Sequence, residues 1–187
     1  MLNITLGLMK AGKSKSLIKK HKVYVTSKFE SVGVFAYKPN TKQLVVEVST
    51  REKGLEPIAC LNLSVVSDKV VKELVKQFDV VFIDEVQFAP KSHIDAIVEE
   101  SFLKVVNCYG LYLDYLSEEF ETISYLREKA TEELGLFYKE KFLSADCDIC
   151  DNVAEHNIRV TDETDLFVTE KDIYKTVCSM CKKEIEG

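Results

Sequence analysis

The sequence has few of the residues that interrupt regular structure, with seven glycines and three prolines among 187 residues. It also has no internal repeat, no low-complexity stretch and no apolar run long enough to span a bilayer, which excludes repeat architectures and integral membrane proteins. Met1 leads directly into a short apolar strand pattern without an apolar signal segment. We therefore expect a cytoplasmic protein with no membrane partner.

Basic charge is also scarce, above all near the C-terminus. The net charge is −6, with 19 basic and 20 acidic side chains in residues 1–140 but 6 and 11 in residues 141–187. A domain that binds nucleic acid needs a basic face to neutralise phosphates. The sequence therefore predicts no nucleic-acid partner.

Two of the glycines fall in one stretch that has every fixed residue of the phosphate-binding loop, Gly7-Leu8-Met9-Lys10-Ala11-Gly12-Lys13-Ser14. Glycines at both ends allow backbone N–H groups to surround phosphates at the start of a helix. Lys13 adds a charge for the terminal phosphates, and the Ser14 hydroxyl suits Mg²⁺. All eight residues are predicted to bind ATP. A chance match is the alternative, which the apolar strand before the stretch and the helical pattern after it disfavour.

A second motif is a pair of acids, Asp84 and Glu85, directly after four apolar residues in a row at 80–83. Neighbouring residues of a strand point to opposite faces, so the two acids cannot share one task unless the strand ends there and the chain turns. We predict that Asp84 joins Ser14 in holding Mg²⁺ and that Glu85 takes a proton from the acceptor. A solvated strand end is the alternative for such a pair taken alone.

Four cysteines lie in two short knuckles in the last quarter of the chain, Cys147-x-x-Cys150 and Cys178-x-x-Cys181. Four thiolates at this spacing predict a closed, structural Zn²⁺ site of the zinc-ribbon type. Two disulfides or free core thiols are the alternatives, which the absence of other secretion signals disfavours. Cys60 and Cys108 lie in apolar surroundings and are predicted to be buried.

The order of the remaining patterns predicts an α/β fold. Strands are expected at 1–6, 31–37, 78–84 and 105–109, and helices at 13–28, 65–77, 91–102 and 117–140, the last with a possible break at Gly135. Residues 38–60 are expected to form a surface excursion with one strand-like patch at 44–48. Alternating strands and helices indicate a P-loop NTPase-like parallel sheet flanked by helices. We divide the chain into a P-loop α/β domain at 1–142 and a small zinc-ribbon (lasso) domain at 143–187.

Together these motifs resemble the type II thymidine kinases of cellular, bacterial, phage and poxvirus origin. The resemblance covers nearly the whole chain and rests on four segments: Gly7-x-Met9-x-x-Gly12-Lys13-Ser14, Asp84-Glu85-Val86-Gln87-Phe88, Tyr109-Gly110-Leu111 and Tyr174-x-x-x-Cys178-x-x-Cys181. It implies transfer of the ATP γ-phosphoryl group to the 5′-hydroxyl of thymidine, with Glu85 as general base and with Lys13, Ser14 and Asp84 serving phosphates and Mg²⁺. It also implies a homotetramer or a dimer of identical subunits.

The resemblance further implies where the thymine base binds. Its apolar slot is expected to lie under the lasso that carries Tyr174, lined by Met9, Phe88, Leu111, Tyr115 and Phe120. Asn157 is a candidate for a contact near the base methyl group, although a solvated loop asparagine is the simpler interpretation.

The sequence departs from the family pattern in three places. The Asp-x-Arg after the second strand is absent, so that charge pair is lost or replaced by Asn40 and Lys42. The lasso lacks the Gly-Gly before its tyrosine. In residues 109–115 a tyrosine stands in the place of the usual phenylalanine, and two bulky residues precede Asp114. Three hypotheses therefore stay open: a thymidine or deoxyuridine kinase, a deoxynucleoside kinase with another acceptor, and a nucleotide-binding regulatory protein without turnover.

Overall fold

A mostly parallel, seven-stranded sheet forms the body of the protein in the computed structural model, which describes residues 1–27, 31–160 and 174–186. The strand order is β3-β4-β2-β5-β6-β1-β7, and all neighbours are parallel except β3 and β4. The strands of this sheet are β1 Leu2–Gly7, β2 Val32–Ala36, β3 Val45–Val48, β4 Ile58–Asn62, β5 Val80–Asp84, β6 Val105–Leu111 and β7 Tyr138–Leu143. The predicted α/β fold class is confirmed.

Helices cover both faces of the sheet because the central strands alternate apolar side chains between two cores. The helices are α1 Lys13–Thr26, α2 Asp68–Lys76, α3 Lys91–Glu100 and α4 Glu121–Lys129. In β5, Phe82 packs in the core that contains residues of α1, whereas Ile83 packs in the core that contains residues of α2, α3 and α4. Cys60 and Cys108 are buried, as predicted. Among the described residues, no helix combines the length and the apolar composition that crossing a bilayer requires.

The parallel arrangement brings the carboxyl ends of four strands to one edge of the sheet. Gly7 of β1 pairs with Leu111 of β6, and Asp84 of β5 pairs with Ala36 of β2. Ligands of open α/β sheets bind at this edge, where the loops after the strands gather. The fold therefore places the two predicted motifs, the phosphate loop and the acid pair, side by side.

Two strands of the sheet differ from the sequence prediction. Residues 138–140 were expected to end a helix, but they begin β7, which pairs in parallel with β1 along the edge of the sheet. Residues 58–60 were expected to lie in a surface excursion, but they begin β4, which pairs with β2 and β3. In both places pairing with neighbouring strands decides the conformation. The local sequence does not favour a strand, because β7 is rich in Lys and Glu and β4 follows Gly54 and Pro57.

The predicted helix at 117–140 is consequently shorter. It consists of α4, one π-helical turn at Ala130–Leu134 and one 3₁₀ turn at Gly135–Phe137. The predicted break at Gly135 is present, because Gly135 adopts φ 52°.

The C-terminal region is a two-stranded antiparallel ribbon followed by a helix. It contains β8 His156–Arg159, β9 Tyr174–Val177 and α5 Ser179–Glu186. The four knuckle cysteines lie before β8 and after β9, and three of them are buried together with Ile158 and Val177. We refer to residues 145–160 and 174–186 as the cysteine ribbon. The strand β7 ends at Leu143, and the proposed division of the chain into domains at 142 and 143 stays a prediction.

Candidate active site and metal centre

The phosphate loop connects β1 to α1 and turns through two residues with positive φ. Gly12, directly before α1, has φ 79°, and Lys10 has φ 62°. Gly7 leaves no room for a side chain, because a Cβ there would lie 2.8 Å from the carbonyl oxygen of Leu143. The first N–H groups of α1 have no partner within the helix, and such groups next to a tight loop form a phosphate-binding site.

Lys13 lies over the loop to which it belongs. Its Nζ donates to the carbonyl oxygens of Leu8 at 2.7 Å and Gly7 at 3.3 Å, and the side chain is buried. Burial lowers the pKa of Lys13, whereas the nearby carboxylates of Glu85 and Asp84 raise it. A phosphate in the loop would offer this ammonium group stronger acceptors than two neutral carbonyls.

Ser14 and Asp84 meet at the start of α1 and the end of β5. Ser14 Oγ donates to Asp84 Oδ2 at 3.3 Å. The other carboxylate oxygen, Oδ1, is buried and has no hydrogen-bond partner among the described residues. Burial raises the pKa of Asp84 to about 7, with a further increase from Glu85 and decreases from Lys38 and Lys13. A buried carboxylate oxygen without a partner, beside a hydroxyl, fits a hard cation such as Mg²⁺.

Glu85 marks the point at which the chain leaves the sheet. It adopts φ 56° and ψ 40°, so the strand alternation ends at Asp84 and both acids can serve one site. Glu85 Oε2 accepts a hydrogen bond from Gln87 Nε2 at 2.6 Å, and Gln87 Oε1 accepts one from the Leu111 N–H at 3.0 Å. Gln87 is buried and joins Glu85 to the end of β6. Gln87 was not predicted to have a role, although a glutamine beside an acid pair is a usable signal in the sequence.

Lys38 is a second group that sequence reasoning missed. Its Nζ lies 4.0 Å from Glu85 Oε1, and it lines the same cavity. Asn62 fixes its backbone by accepting from the Lys38 N–H at 3.0 Å and donating to the Lys38 carbonyl at 3.1 Å. Asn40 also lines the cavity, whereas Lys42 is exposed and does not line it. Lys38 is therefore a cation beside Glu85. The loss of the Asp-x-Arg charge pair, or its replacement by Asn40 and Lys42, stays a prediction.

A cavity of about 910 Å³ collects most of the predicted site residues. Its wall includes, from the predicted sets, Met9, Lys10, Gly12, Lys13, Ser14, Glu85, Phe88, Leu111, Tyr115, Phe120, Asn157 and Tyr174. Gly7, Leu8, Ala11 and Asp84 are not part of this wall. Leu8 is buried with Ala145 and Ala154, and its carbonyl accepts from Lys13. The cavity therefore joins the phosphate loop to a set of apolar and aromatic side chains.

Four aromatic residues of the wall form two pairs, Phe88 with Phe120 and Tyr115 with Tyr174. The rings of Phe88 and Phe120 meet edge to face with centroids 6.1 Å apart. The Arg159 guanidinium lies 4.2 Å from the Tyr115 ring centroid and 5.2 Å from that of Tyr174. Arg159 Nη2 also donates to the Tyr174 hydroxyl at 2.5 Å. Arg159 was not predicted, since nothing in its local sequence distinguishes it from a solvated arginine of a strand.

Asn157 is 2% exposed, so the interpretation as a solvated loop residue is wrong. Its Oδ1 accepts from the Met9 N–H at 3.0 Å, and its Nδ2 donates to the Leu113 carbonyl at 3.0 Å. The amide thus connects β8 to the phosphate loop while lining the cavity.

The four knuckle cysteines form one cluster whose sulfur atoms all lie within 4.8 Å of one another. Cys150 Sγ is 3.7 Å from Cys178 Sγ and 3.6 Å from Cys181 Sγ. A tetrahedral Zn²⁺ site with Zn–S distances of about 2.3 Å has sulfur–sulfur edges of about 3.8 Å. All six cysteines of the chain are free thiols, so the cluster contains no disulfide. The donor set and its spacing fit Zn²⁺.

Known proteins with similar sequences indicate the same kind of site. The sequence model of the thymidine kinase family matches residues 1–182. The chain belongs to the thymidine kinase family. Family relatives include the thymidine kinase of Mesoplasma florum, 28% identical over 200 residues with 100% of this chain and 93% of the relative covered. The thymidine kinase of Pyrobaculum aerophilum is 28% identical over 164 residues, covering 86% of this chain and 82% of the relative.

A third member of the thymidine kinase family, from Bacillus subtilis subsp. natto, is 31% identical over 110 residues, which is 53% of each chain. The departure from the family pattern in the lasso concerns 167–173, which lie outside the described residues. Tyr174, directly after that segment, is described and lines the cavity.

Proposed function

We propose that this chain is a thymidine kinase that transfers the γ-phosphoryl group of ATP to the 5′-hydroxyl of thymidine or deoxyuridine. The observation that carries the proposal is the single cavity that joins Lys13 and Ser14 of the phosphate loop to the apolar wall at Phe88, Leu111 and Phe120. One part of such a cavity suits a triphosphate and the other a flat base. The carboxylate of Glu85 belongs to the same wall.

Glu85 is proposed as the general base. It follows Asp84, which contacts Ser14 near the phosphates, and precedes Phe88 of the base slot by three residues. Its hydrogen bond from Gln87 and the nearby Lys38 hold the carboxylate at this position. When the acceptor oxygen bonds to the γ-phosphorus, the hydroxyl proton passes to Glu85 and the bond between the γ-phosphorus and the bridging oxygen breaks, which releases ADP.

The charge of the phosphates is proposed to be balanced by Lys13, by the first N–H groups of α1 and by Lys38. Ser14 and Asp84 would hold Mg²⁺, which neutralises phosphate charge when bound. All eight residues of the loop from Gly7 to Ser14 belong to the proposed ATP site, Gly7, Leu8 and Ala11 by shaping its backbone. Lys38 supplies a cation on the wall of the cavity where the family's Asp-x-Arg is absent.

The base is proposed to bind among Met9, Phe88, Leu111, Tyr115 and Phe120, and next to Asn157 and Tyr174 of the cysteine ribbon. A flat, mostly apolar slot of this kind gains free energy from burying a pyrimidine, and a larger purine needs more room. Zn²⁺ bound by Cys147, Cys150, Cys178 and Cys181 is proposed to be structural, since four thiolates leave no open position for substrate. The homotetrameric assembly and the cytoplasmic location stay predictions.

The proposal is tested by steady-state ADP release from ATP and Mg²⁺, with thymidine, deoxyuridine, deoxycytidine and deoxyguanosine offered separately. We expect release with thymidine and with deoxyuridine. If only another nucleoside supports release, the proposed acceptor is wrong, whereas the proposed phosphoryl transfer stands. If no acceptor supports release while ADP still binds, the chain is a nucleotide-binding protein without turnover.

The role of Glu85 is tested by Glu85→Gln, which keeps the size of the side chain and removes its basicity. We expect kcat to fall by about 10²- to 10⁴-fold, as for loss of a general base, while the Kd for ADP stays within about twofold. The exposed Glu56→Gln is the matched control and should retain wild-type kcat. Equal kcat in Glu85→Gln and wild type would show that another group takes the proton.

A further inference from the structure

The cysteine ribbon contacts the phosphate loop directly, and the contacts concentrate on two loop residues. The Met9 N–H donates to Asn157 Oδ1 at 3.0 Å, and the Met9 carbonyl accepts from Thr176 Oγ1 at 3.3 Å. Lys10 Nζ donates to Asp148 Oδ2 at 2.6 Å. Both backbone polar groups of Met9 and the side chain of Lys10 are thus held by the ribbon.

Asp148 is the centre of this set of contacts. Its Oδ2 accepts from Lys10 Nζ and also from the Thr176 N–H at 2.7 Å, while its own N–H donates to the Thr176 carbonyl at 2.8 Å. Thr176 and Asn157 are buried, and the Asp148 side chain is 24% exposed. Asp148 is therefore fixed by β9 and presents its charge to Lys10. It lies between Cys147 and Cys150, so its backbone belongs to the first knuckle.

The loop needs such support, because Lys10 adopts the left-handed conformation without being a glycine. This conformation is unfavourable for residues with a Cβ and persists where surrounding contacts determine it. The carboxylate of Asp148 would repel a phosphate, so a direct contact with the nucleotide is not its task. Pairing Lys10 with Asp148 instead fixes the turn that precedes Gly12 and α1.

We propose that Asp148 is a positioning residue for the nucleotide: through Lys10 it holds the phosphate loop in the conformation that binds ATP, and so couples the loop to the cysteine ribbon. The inference rests on the proposed binding of ATP by this loop. It predicts that the ribbon contributes to nucleotide affinity through the phosphate loop, independently of the proposed base slot at Phe88 and Phe120.

The test is a double-mutant cycle with Asp148→Asn, Lys10→Met and the double variant, in chains that each bind one zinc. The readout is the Kd for ADP with Mg²⁺ in the absence of nucleoside, measured by titration calorimetry. We expect Asp148→Asn to raise this Kd by about threefold to tenfold, and the double variant to bind no more weakly than Lys10→Met alone. The KM for ATP should rise in parallel, and the KM for thymidine should stay unchanged.

The matched control is Asp151→Asn, which removes the same charge from an exposed position next to Cys150. A second readout needs no ligand: amide hydrogen exchange of residues 7–14 in ADP-free protein should accelerate in Asp148→Asn and Lys10→Met but not in Asp151→Asn. If Asp148→Asn binds less zinc, exchange in Lys10→Met still tests whether the contact between Lys10 and Asp148 holds the loop, because Lys10 lies outside the ribbon.

Equal ADP affinity in Asp148→Asn and Asp151→Asn would overturn the proposal, and so would additive effects in the cycle or unchanged exchange in Lys10→Met. Failure of the wild-type protein to bind ADP at all would instead remove the proposed function on which the inference rests.

Discussion

The parallel sheet and the cysteine ribbon bury their interiors in different ways. The sheet region packs two clusters of buried side chains against helices on both faces, with Phe35, Phe82 and Ile83 among the members that are fully buried. The described part of the ribbon buries five residues in its own cluster, and three of these are cysteines. Burial of each large apolar side chain contributes about 1.5–3 kcal/mol, so the ribbon gains little from this source.

The difference indicates that two kinds of chemistry hold one active site together. The sheet positions Ser14, Asp84 and Glu85 through strand pairing, which apolar burial stabilises. The ribbon positions Asn157 and Tyr174, and we expect its fold to depend on the metal that the four thiolates are proposed to bind. Each region can therefore be weakened separately, and the site should respond differently in the two cases.

The largest effect is expected from removing the metal centre with Cys178→Ser. Structural Zn²⁺ contributes about 10–16 kcal/mol to small zinc domains at neutral pH, so the ribbon should lose its fold when one ligand is lost. We expect amide protection to disappear in residues 145–160 and 174–186 but to persist in β5 and β6, together with loss of thymidine kinase activity. Hydrogen exchange with peptide resolution measures the protection of each region, zinc analysis measures the metal content, and ADP release with thymidine measures the activity.

The control for this experiment is Cys108→Ala, which removes a buried thiol from β6 of the sheet. It should lower the free energy of unfolding by about 1 kcal/mol and keep one zinc per chain. A ribbon that remains protected after the loss of Cys178 would show that apolar packing alone holds it.

A smaller effect is expected from a cavity in the sheet, made by Ile83→Ala. Ile83 is fully buried in β5, next to Asp84, and truncating such a residue costs about 2–5 kcal/mol. Urea unfolding should show this loss in the sheet, whereas zinc should remain bound in the native protein. The milder Ile83→Val should cost about 0.5–1.5 kcal/mol. Loss of zinc under native conditions would mean that the two regions unfold as one unit.

The sequence predicted the central part of this arrangement because each central element carries its own signal. Strand β5 consists of four apolar residues, buried on both faces, and Asp84 at its end, and Glu85 follows where the chain leaves the strand. The phosphate loop has a pattern of fixed residues, and its predicted strand and helix are both present. These features depend on local sequence, so a single chain suffices to find them.

The missed features depend on contacts between distant segments. The charged segment Tyr138–Leu143 becomes a strand only because β1 offers it an edge. Lys38 and Gln87 acquire their roles at Glu85 through the pairing of β2 with β5 and the approach of Gln87 to β6. Asn157 is buried only because the ribbon packs on the phosphate loop. Apart from Gln87, which stands close to the acid pair in the sequence, none of these residues has a periodicity or spacing that a sequence could show.

The smallest predicted effect concerns a polar network in the core of the sheet region, and it should be independent of zinc. His93 is 2% exposed; its Nδ1 lies 3.1 Å from the Tyr37 hydroxyl and its Nε2 lies 3.0 Å from Asp68 Oδ1. Burial lowers the pKa of His93, although Asp68 raises it in part. Below the ordinary histidine pKa of about 6.5, the unfolded chain therefore binds a proton that the folded chain resists.

The free energy of unfolding should consequently decrease as the pH falls through the window between about 6.5 and the lower pKa of folded His93. The difference in stability between wild type and His93→Gln isolates this contribution, since the ribbon thiolates and His21 titrate in both proteins. Asp68→Asn removes the carboxylate that favours protonated His93, so it should lower the pKa of folded His93 further and steepen the decrease. The difference in free energy of unfolding between wild type and His93→Gln is the quantity to follow. If it does not vary between pH 7 and pH 5.5, His93 accepts its proton in the folded core, and the sheet region tolerates a buried charge there.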